Sequence, residues 1–424
     1  MSSSGHDEVV RESFARQVPL FSGADSPFAQ RPASTLSWIE PLSDDMIVLD
    51  VACGAAHATE PVAAKVRQVI GIDLTPELLD LGARRLRANG ITNVLLQEGN
   101  AEALPFADES FGIVCCRSSL HHFAEPRRAV DEMVRVCRPG GRVVLLDLIA
   151  PSPELRADYD DLHRLLDPSH VRSFCEAELA ALVAPEAATM TYAATATIRL
   201  PIDIALSDVS ARDAVLTRLG AELRGDAGST GFEPAEEDGK IVVSFTTCII
   251  HFERVVHERC DQCGFDGARY DATALVAAIR GLGPQWQALL AEAGAELRTR
   301  PEPGVWSALE YAAHSRDITA LHAFGVELAI EEDEPVVPAI DSDTLIAQAA
   351  ADYAAEDPDE VAAALAREAT RLADAAESAG PEAWSRAIVI GDDRNPIRAM
   401  LEHALHDSLH HVDDVERGLG SLPR

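Results

Sequence analysis

Four histidines crowd one short stretch near the end of the chain, His403-Ala404-Leu405-His406-Asp407-Ser408-Leu409-His410-His411. On a helix, His406 and His410 are four residues apart and share a face, with His403 three residues earlier on the same side. Such a pair can grip a metal through two imidazoles but needs a third group from elsewhere. The stretch Trp306–Asp317 offers His314, and His322 is the alternative on the same helix. The plainer reading is a solvated, histidine-rich helix end. Cys260-Asp261-Gln262-Cys263-Gly264, with His257 three residues before it, could supply two thiolates. A closed structural metal site needs four ligands, so this pair reads first as a packed turn.

A second constellation lies near the start. Val48-Leu49-Asp50-Val51-Ala52-Cys53-Gly54-Ala55-Ala56 reads as a strand running into a tight turn. A glycine there lets the backbone approach a ligand, and the following helix offers free N–H groups. Further on, Gly71-Ile72-Asp73 closes a second strand, and a carboxylate in that place can accept hydrogen bonds from both hydroxyls of a ribose. The G-x-G-x-x-G turn of dinucleotide enzymes is missing, which argues against NAD. Asn100 and the N–H of Ala101 follow a third strand and can recognise adenine. His121 and His122 follow a fourth. With His163 and His170, they are the candidate bases for deprotonating an acceptor, His122 first among them.

The elements that must position these groups are legible. Strand-like runs at Met46–Val51, Val66–Asp73, Val94–Glu98, Gly112–Arg117 and Gly141–Leu148 alternate with helical patterns such as Thr75–Asn89 and Pro126–Val136. This alternation predicts a doubly wound parallel sheet covered on both faces. Ala193–Ile198 and Lys240–Glu253 read as longer strands of an antiparallel edge. Helix Ser210–Arg224 and a turn-rich loop, Gly225–Gly239, lie between them. Beyond residue 257 the strands are expected to stop. Four helical stretches, Asp271–Leu297, Val305–Ile330, Asp359–Ala379 and Asn395–Leu419, predict a four-helix bundle.

The motifs Asp50–Gly54, Asp73, Asn100–Ala101 and Arg138-Pro139-Gly140-Gly141, in that order, resemble the class I S-adenosylmethionine (SAM)-dependent methyltransferases, particularly the ubiquinone/menaquinone-type branch. The resemblance covers roughly residues 10–255 and is strongest over 46–148. It implies SAM as cofactor, with Asp50 and Gly54 in the first motif, Asp73 on the ribose and Asn100 with Ala101 on the adenine. It also puts Arg117 on the methionine side, and Glu12–Gln17 resembles the helix that closes over SAM. Ala52 and Ala56 stand where the family usually has glycines, so weakened rather than lost binding is expected. The pattern of His314, His406, His410 and the helix layout over about residues 257–424 resembles the DinB-like superfamily, which includes the mycothiol-dependent maleylpyruvate isomerase N-terminal domain. That resemblance implies a three-histidine site for a divalent metal, zinc first, with nickel or iron as alternatives, and chemistry on a thiol or thiol adduct.

The expected organisation is a methyltransferase domain over 1–256, its core at 33–150 and its cap and edge strands at 151–256, then a metal-binding bundle over 257–424. Such a chain would methylate a small molecule. The rival reading makes the bundle a non-catalytic dimerisation or substrate-holding module, and a third has the first domain bind SAM only to sense it or for a non-methylating reaction. The formal net charge of −34 repels phosphate backbones and anionic membranes, so neither nucleic acid nor membrane is an expected partner. A homodimer remains open. The polar start and the lack of any long apolar run predict a cytoplasmic protein with reduced cysteines.

Overall fold

The apolar runs around Leu49, Ile72 and Val114 become central strands because each is flanked by turn residues and covered on both faces; all three side chains are buried. In this computed structural model the described residues are 3–22, 36–205, 209–338, 352–391 and 393–421. The chain divides into two compact units, Met1–Val255 and Val256–Arg424.

In the first unit the strands are β1 (Ile47–Val51), β2 (Gln68–Asp73), β3 (Val94–Glu98), β4 (Phe111–Arg117), β5 (Cys137–Ile149), β6 (Ala188–Pro201), β7 (Ala235–Glu237) and β8 (Lys240–Arg254). Among the described residues they form one sheet in the order β3-β2-β1-β4-β5-β8-β6, with β7 paired to β8. β1 through β5 pair in parallel, and β5-β8-β6 closes the far edge antiparallel. The ladder of the fifth strand begins at Cys137, ahead of the Pro139-Gly140-Gly141 turn where the sequence suggests its start. Helices α1 (Ser3–Ser22), α2 (Thr59–Ala63), α3 (Pro76–Ala88) and α4 (Pro126–Val136) belong to the first half of this unit. α3 and α4 each begin on a proline, whose fixed φ suits the first helical turn. α5 (Arg156–Leu166), α6 (Glu176–Ala180), α7 (Ile202–Ala205) and α8 (Arg212–Leu223) follow β5. All parallel strands end on the same side, and the order reverses between β1 and β4, so a crevice opens there.

Among the described residues the second unit is built from four long helices: α9 (Ala272–Ala293), α10 (Ala308–Glu331), α11 (Pro358–Ala379) and α12 (Ile397–Ser421). Side chains cap three of them. Asp271 accepts from the N–H of Ala274, Ser307 and Glu310 cap each other reciprocally, and Asp357 accepts from the N–H groups of Asp359 and Glu360. Strands do not stop at residue 257, contrary to the sequence expectation. β9 (Val336–Val337), β10 (Ala387–Ile390) and β11 (Asp393–Pro396) form a small sheet. The β-branched run Ile388-Val389-Ile390 favours a strand, and Ile388 buries itself against the bundle core. No described helix is long and apolar enough to cross a membrane.

Trp286 is fully buried at the centre of the bundle, and its indole N–H donates to the Ser408 hydroxyl at 2.7 Å. Ser408→Ala should strand that N–H in an apolar core and lower the unfolding free energy by about 1–3 kcal/mol. Denaturant titration measures it; an unchanged midpoint would show that the indole bond adds nothing.

Candidate functional site

The turn after β1 is held open by carboxylates. Gly54 N–H donates to Asp73 Oδ2 at 2.7 Å and Thr75 N–H to Asp73 Oδ1 at 2.9 Å, so Asp73 pins the β1 turn to the end of β2. Asp50 is buried beneath it and accepts from the Thr59 hydroxyl at 2.5 Å. Ala52, Gly54 and Ala56 all take left-handed φ, at 56°, 52° and 58°. For a residue with a Cβ this conformation costs about 1–2 kcal/mol. The two alanines at glycine-like positions are therefore strained, where the sequence predicts only weakened binding.

A cavity of about 630 Å³ opens above this turn, at the carboxyl ends of the parallel strands. Asp50, Gly54, Asp73, Asn100, Ala101, Arg117 and His122, which the sequence assigns to the site, all line it. The Asn100 side-chain oxygen accepts from the N–H of Glu102 at 2.8 Å, which fixes the loop, while its amide donates to Asp7 of α1 at 3.1 Å. α1 also brings Phe14 and Gln17 to the cavity wall. Ile198, Leu200 and Phe245 of the antiparallel edge contribute an apolar wall.

The histidines divide by role. His121 is buried and its Nδ1 lies 2.5 Å from Asp147 Oδ1, while its N–H donates to Asp147 Oδ2 at 3.0 Å. Burial works against the charged imidazole, but Asp147 outweighs it and holds His121 above its ordinary range. His122 is pushed down to about 3, first by burial and then by the neighbouring His121. Its Nδ1 lies 3.1 Å from the Ser169 hydroxyl. His163 lines the cavity, is held low by burial, and stacks on His170 at 4.3 Å. His170 is in turn bound to Asp160 at 2.8 Å. The partner that sequence reasoning missed is Asp147. Its signal was a lone acid inside the apolar run Val143-Val144-Leu145-Leu146-Asp147-Leu148. Burial pushes the thiols of Cys115 and Cys116 up, in keeping with inert core residues.

In the helical unit the expected trio of His314, His406 and His410 does not assemble. His314 meets Asp407 and His411, whereas His406 and His410 meet Cys260 and Cys263; within each group the ligand atoms lie within 4.8 Å of one another. The reason is helical geometry. Residues 407 and 411 lie one position, about 100°, around α12 from 406 and 410, and only the former pair faces α10. His314 Nε2 and His411 Nε2 approach Asp407 Oδ1 at 3.6 and 3.5 Å. Asp407 Oδ2 and His314 Nδ1 are buried without hydrogen-bond partners. Burial opposes the Asp407 carboxylate, but the two imidazoles hold it well below the usual range.

Comparison with known proteins fits both halves. Residues 49–145 match the methyltransferase domain family, and residues 265–415 match the DinB superfamily. The chain is 43% identical over 126 residues to the uncharacterized methyltransferase YcgJ of Bacillus subtilis, covering 30% of this chain and 50% of that one. It is 33% identical over 156 residues to the ubiquinone/menaquinone biosynthesis C-methyltransferase UbiE of Legionella pneumophila, covering 36% and 61%. The chain thus spans less than two thirds of the length of either relative. The crystal structure of YcgJ superposes with a TM-score of 0.48 at 27% identity, over 53% of this chain and 99% of that one. Residues 49–145, within the first unit, are a methyltransferase domain. The chain as a whole joins it to a DinB-superfamily domain.

The buried Asp50 makes the site pH-sensitive. Burial pushes its carboxyl up to about 6 from 3.8, against the Thr59 bond and the Arg117 charge. Between roughly pH 4 and 6 the folded chain holds a proton that the unfolded chain has released, so Asp50 lowers stability as pH rises through that window. Asp50→Asn should therefore raise the unfolding free energy at pH 7 by roughly 2–3 kcal/mol, with the gain vanishing below about pH 4. Denaturant melts of both proteins across this range measure it; an equal effect at both ends would refute the burial argument.

Proposed function

We propose that the chain is a SAM-dependent methyltransferase acting on a small molecule, joined to a metal-binding helical domain. The observation that carries this reading is the single cavity uniting Asp50, Gly54, Asp73, Asn100, Ala101 and Arg117 at the carboxyl ends of the parallel strands. SAM supplies an electrophilic methyl group on a sulfonium sulfur. Asp73 has acceptor capacity left for ribose hydroxyls beyond the two N–H groups it binds, and Asn100 with the N–H of Ala101 would read the adenine edge. Asp50 would answer the positive charge of the methionine end, which would also favour its ionised form. The cavity volume fits the range of small-molecule sites, about 300–1,000 Å³.

The apolar wall of Ile198, Leu200 and Phe245 suits an acceptor with a hydrophobic body. A base, where the acceptor needs one, is best supplied by His121. Asp147 fixes its ring and raises its proton affinity, as carboxylates do in acid–base dyads. His122, the first candidate from sequence, has too little proton affinity for that task and would shape the pocket instead. The strongly acidic chain disfavours nucleic-acid and membrane acceptors. In the helical domain, His314, Asp407 and His411 would hold a divalent metal as two imidazoles and a carboxylate, with positions free for water or a thiol. The unpartnered atoms of His314 and Asp407 support this fit.

Calorimetry with SAM or S-adenosylhomocysteine should detect binding, and Asp73→Ala should weaken it by about 1.5–3 kcal/mol, roughly 10- to 100-fold. Unchanged affinity in Asp73→Ala would overturn the cofactor assignment. With labelled SAM and fractionated cell metabolites, the native chain should label a small molecule. His121→Ala should slow that transfer while leaving SAM affinity intact; equal rates would remove His121 from the chemistry.

A further inference from the structure

The segment before α9 lies against the last helix through a buried charge cluster. Glu402 is fully buried on α12. It accepts from the N–H of Glu258 at 2.8 Å, lies 2.8 Å from His257 Nδ1, and pairs with Arg398. Arg398 in turn donates to the carbonyls of Gly267 and Tyr270 at 3.2 and 2.6 Å. This latch fixes both ends of the 257–270 segment on α12, and Cys260 and Cys263 lie between the fixed points.

The turn they occupy is tight. Gly264 N–H donates to the Cys260 carbonyl at 2.9 Å, Cys260 N–H donates to the Phe265 carbonyl at 3.0 Å, and Gly264 takes the left-handed φ of +73° that a side chain would resist. Both cysteines are free thiols. Helical spacing carries His406 and His410 to the same place. His406 Nδ1 is engaged by Glu258 at 2.5 Å, and its Nε2 is buried with no hydrogen-bond partner. His410 Nδ1 lies 3.7 Å from Cys260 Sγ, and its Nε2 faces Asp414 Oδ2 at 3.8 Å.

We infer that Cys260, Cys263, His406 and His410 form a closed, tetrahedral Cys2His2 zinc site that staples the 257–270 segment to α12. Four ligand atoms already lie within 4.8 Å of one another. A tetrahedral zinc with bonds of about 2.3 Å to sulfur and 2.0–2.1 Å to nitrogen needs sulfur and nitrogen about 3.6 Å apart, and Cys260 and His410 meet that spacing. Glu258 and Asp414 flank the far nitrogens of the two imidazoles, the arrangement that orients zinc-bound histidines and strengthens them as donors. Two thiolates and two neutral imidazoles neutralise the ion. Four protein ligands leave no position for water or substrate, so this site is structural, and it withdraws the His406–His410 pair from any catalytic metal. The inference stands on the helical unit alone and does not depend on methyl transfer. It is separate from a metal at His314, Asp407 and His411, which has no sulfur ligand.

The test uses the full-length chain without a histidine tag, purified under reducing conditions and loaded with zinc or cobalt(II). The zinc form should retain its ion through gel filtration. The cobalt form should show the thiolate-to-cobalt charge-transfer band and the intense visible bands of a tetrahedral site. Cys260→Ser with Cys263→Ser should abolish the charge-transfer band and lower zinc content by one ion per chain. His410→Cys should keep the metal and intensify the band, a readout that does not depend on a variant losing its ligand. A native chain with no thiolate band, a band that survives the double serine variant, or a Cys260–Cys263 disulfide in the reduced preparation would each overturn the site.

Discussion

Two carboxylates set the geometry of the first unit. Asp73 sits at the end of β2 and accepts an N–H from the turn after β1 and another from the start of α3. The turn after β1 is thereby tied to the end of β2, and Ala52, Cys53, Gly54 and Ala55 line the crevice. Asp50 lies beneath, where burial opposes its charge and Thr59, the Arg117 field and Cys115 offset only part of that penalty. The left-handed Ala52 and Ala56 add strain in the same turn. Unfavourable terms concentrated in one loop are the usual mark of a site shaped for a ligand, and a cationic ligand would relieve the largest of them.

The histidine array follows the same logic at the other end of the cavity. Two imidazole–acid contacts, His121 with Asp147 and His170 with Asp160, and one relayed through a hydroxyl, His122 to Ser169 to Asp167, lock the rings that crowd beside it. Neighbouring imidazoles cannot all be charged. The one that holds a carboxylate directly and faces the cavity, His121, gains proton affinity, and His122 beside it loses it. Assigning acid–base roles here is a question of which ring owns the carboxylate.

In the helical unit the deciding constraint is the turn of α12. Adjacent positions point about 100° apart, so the run from His406 to His411 serves two neighbours. Asp407 and His411 address α10, and His406 and His410 address the segment that Glu402 and Arg398 fix against the helix. A helix that reads as one histidine-rich patch becomes two separate side-chain clusters.

What the sequence determined is whatever depends on local order. The alternation of apolar runs and helical periods gave the parallel sheet, and the four long amphipathic stretches gave the bundle. Asp50, Gly54, Asp73 and Asn100 were legible because each lies at a strand end, and strand ends of a parallel sheet must share one edge. The tertiary structure alone decided which side chains meet across long separations. Asp147 reaches His121 because β5 lies beside β4, and nothing in the spacing of the two residues says so. Helical spacing placed His406 and His410 together but could not say what they face. His314 is separated from them by most of the bundle's length in sequence, and the rotation of α12 against α10 gave it Asp407 and His411 instead. Cys260 and Cys263 read as a turn because two ligands make no closed site. They face His406 and His410 because a buried carboxylate on a distant helix fixes their segment in place.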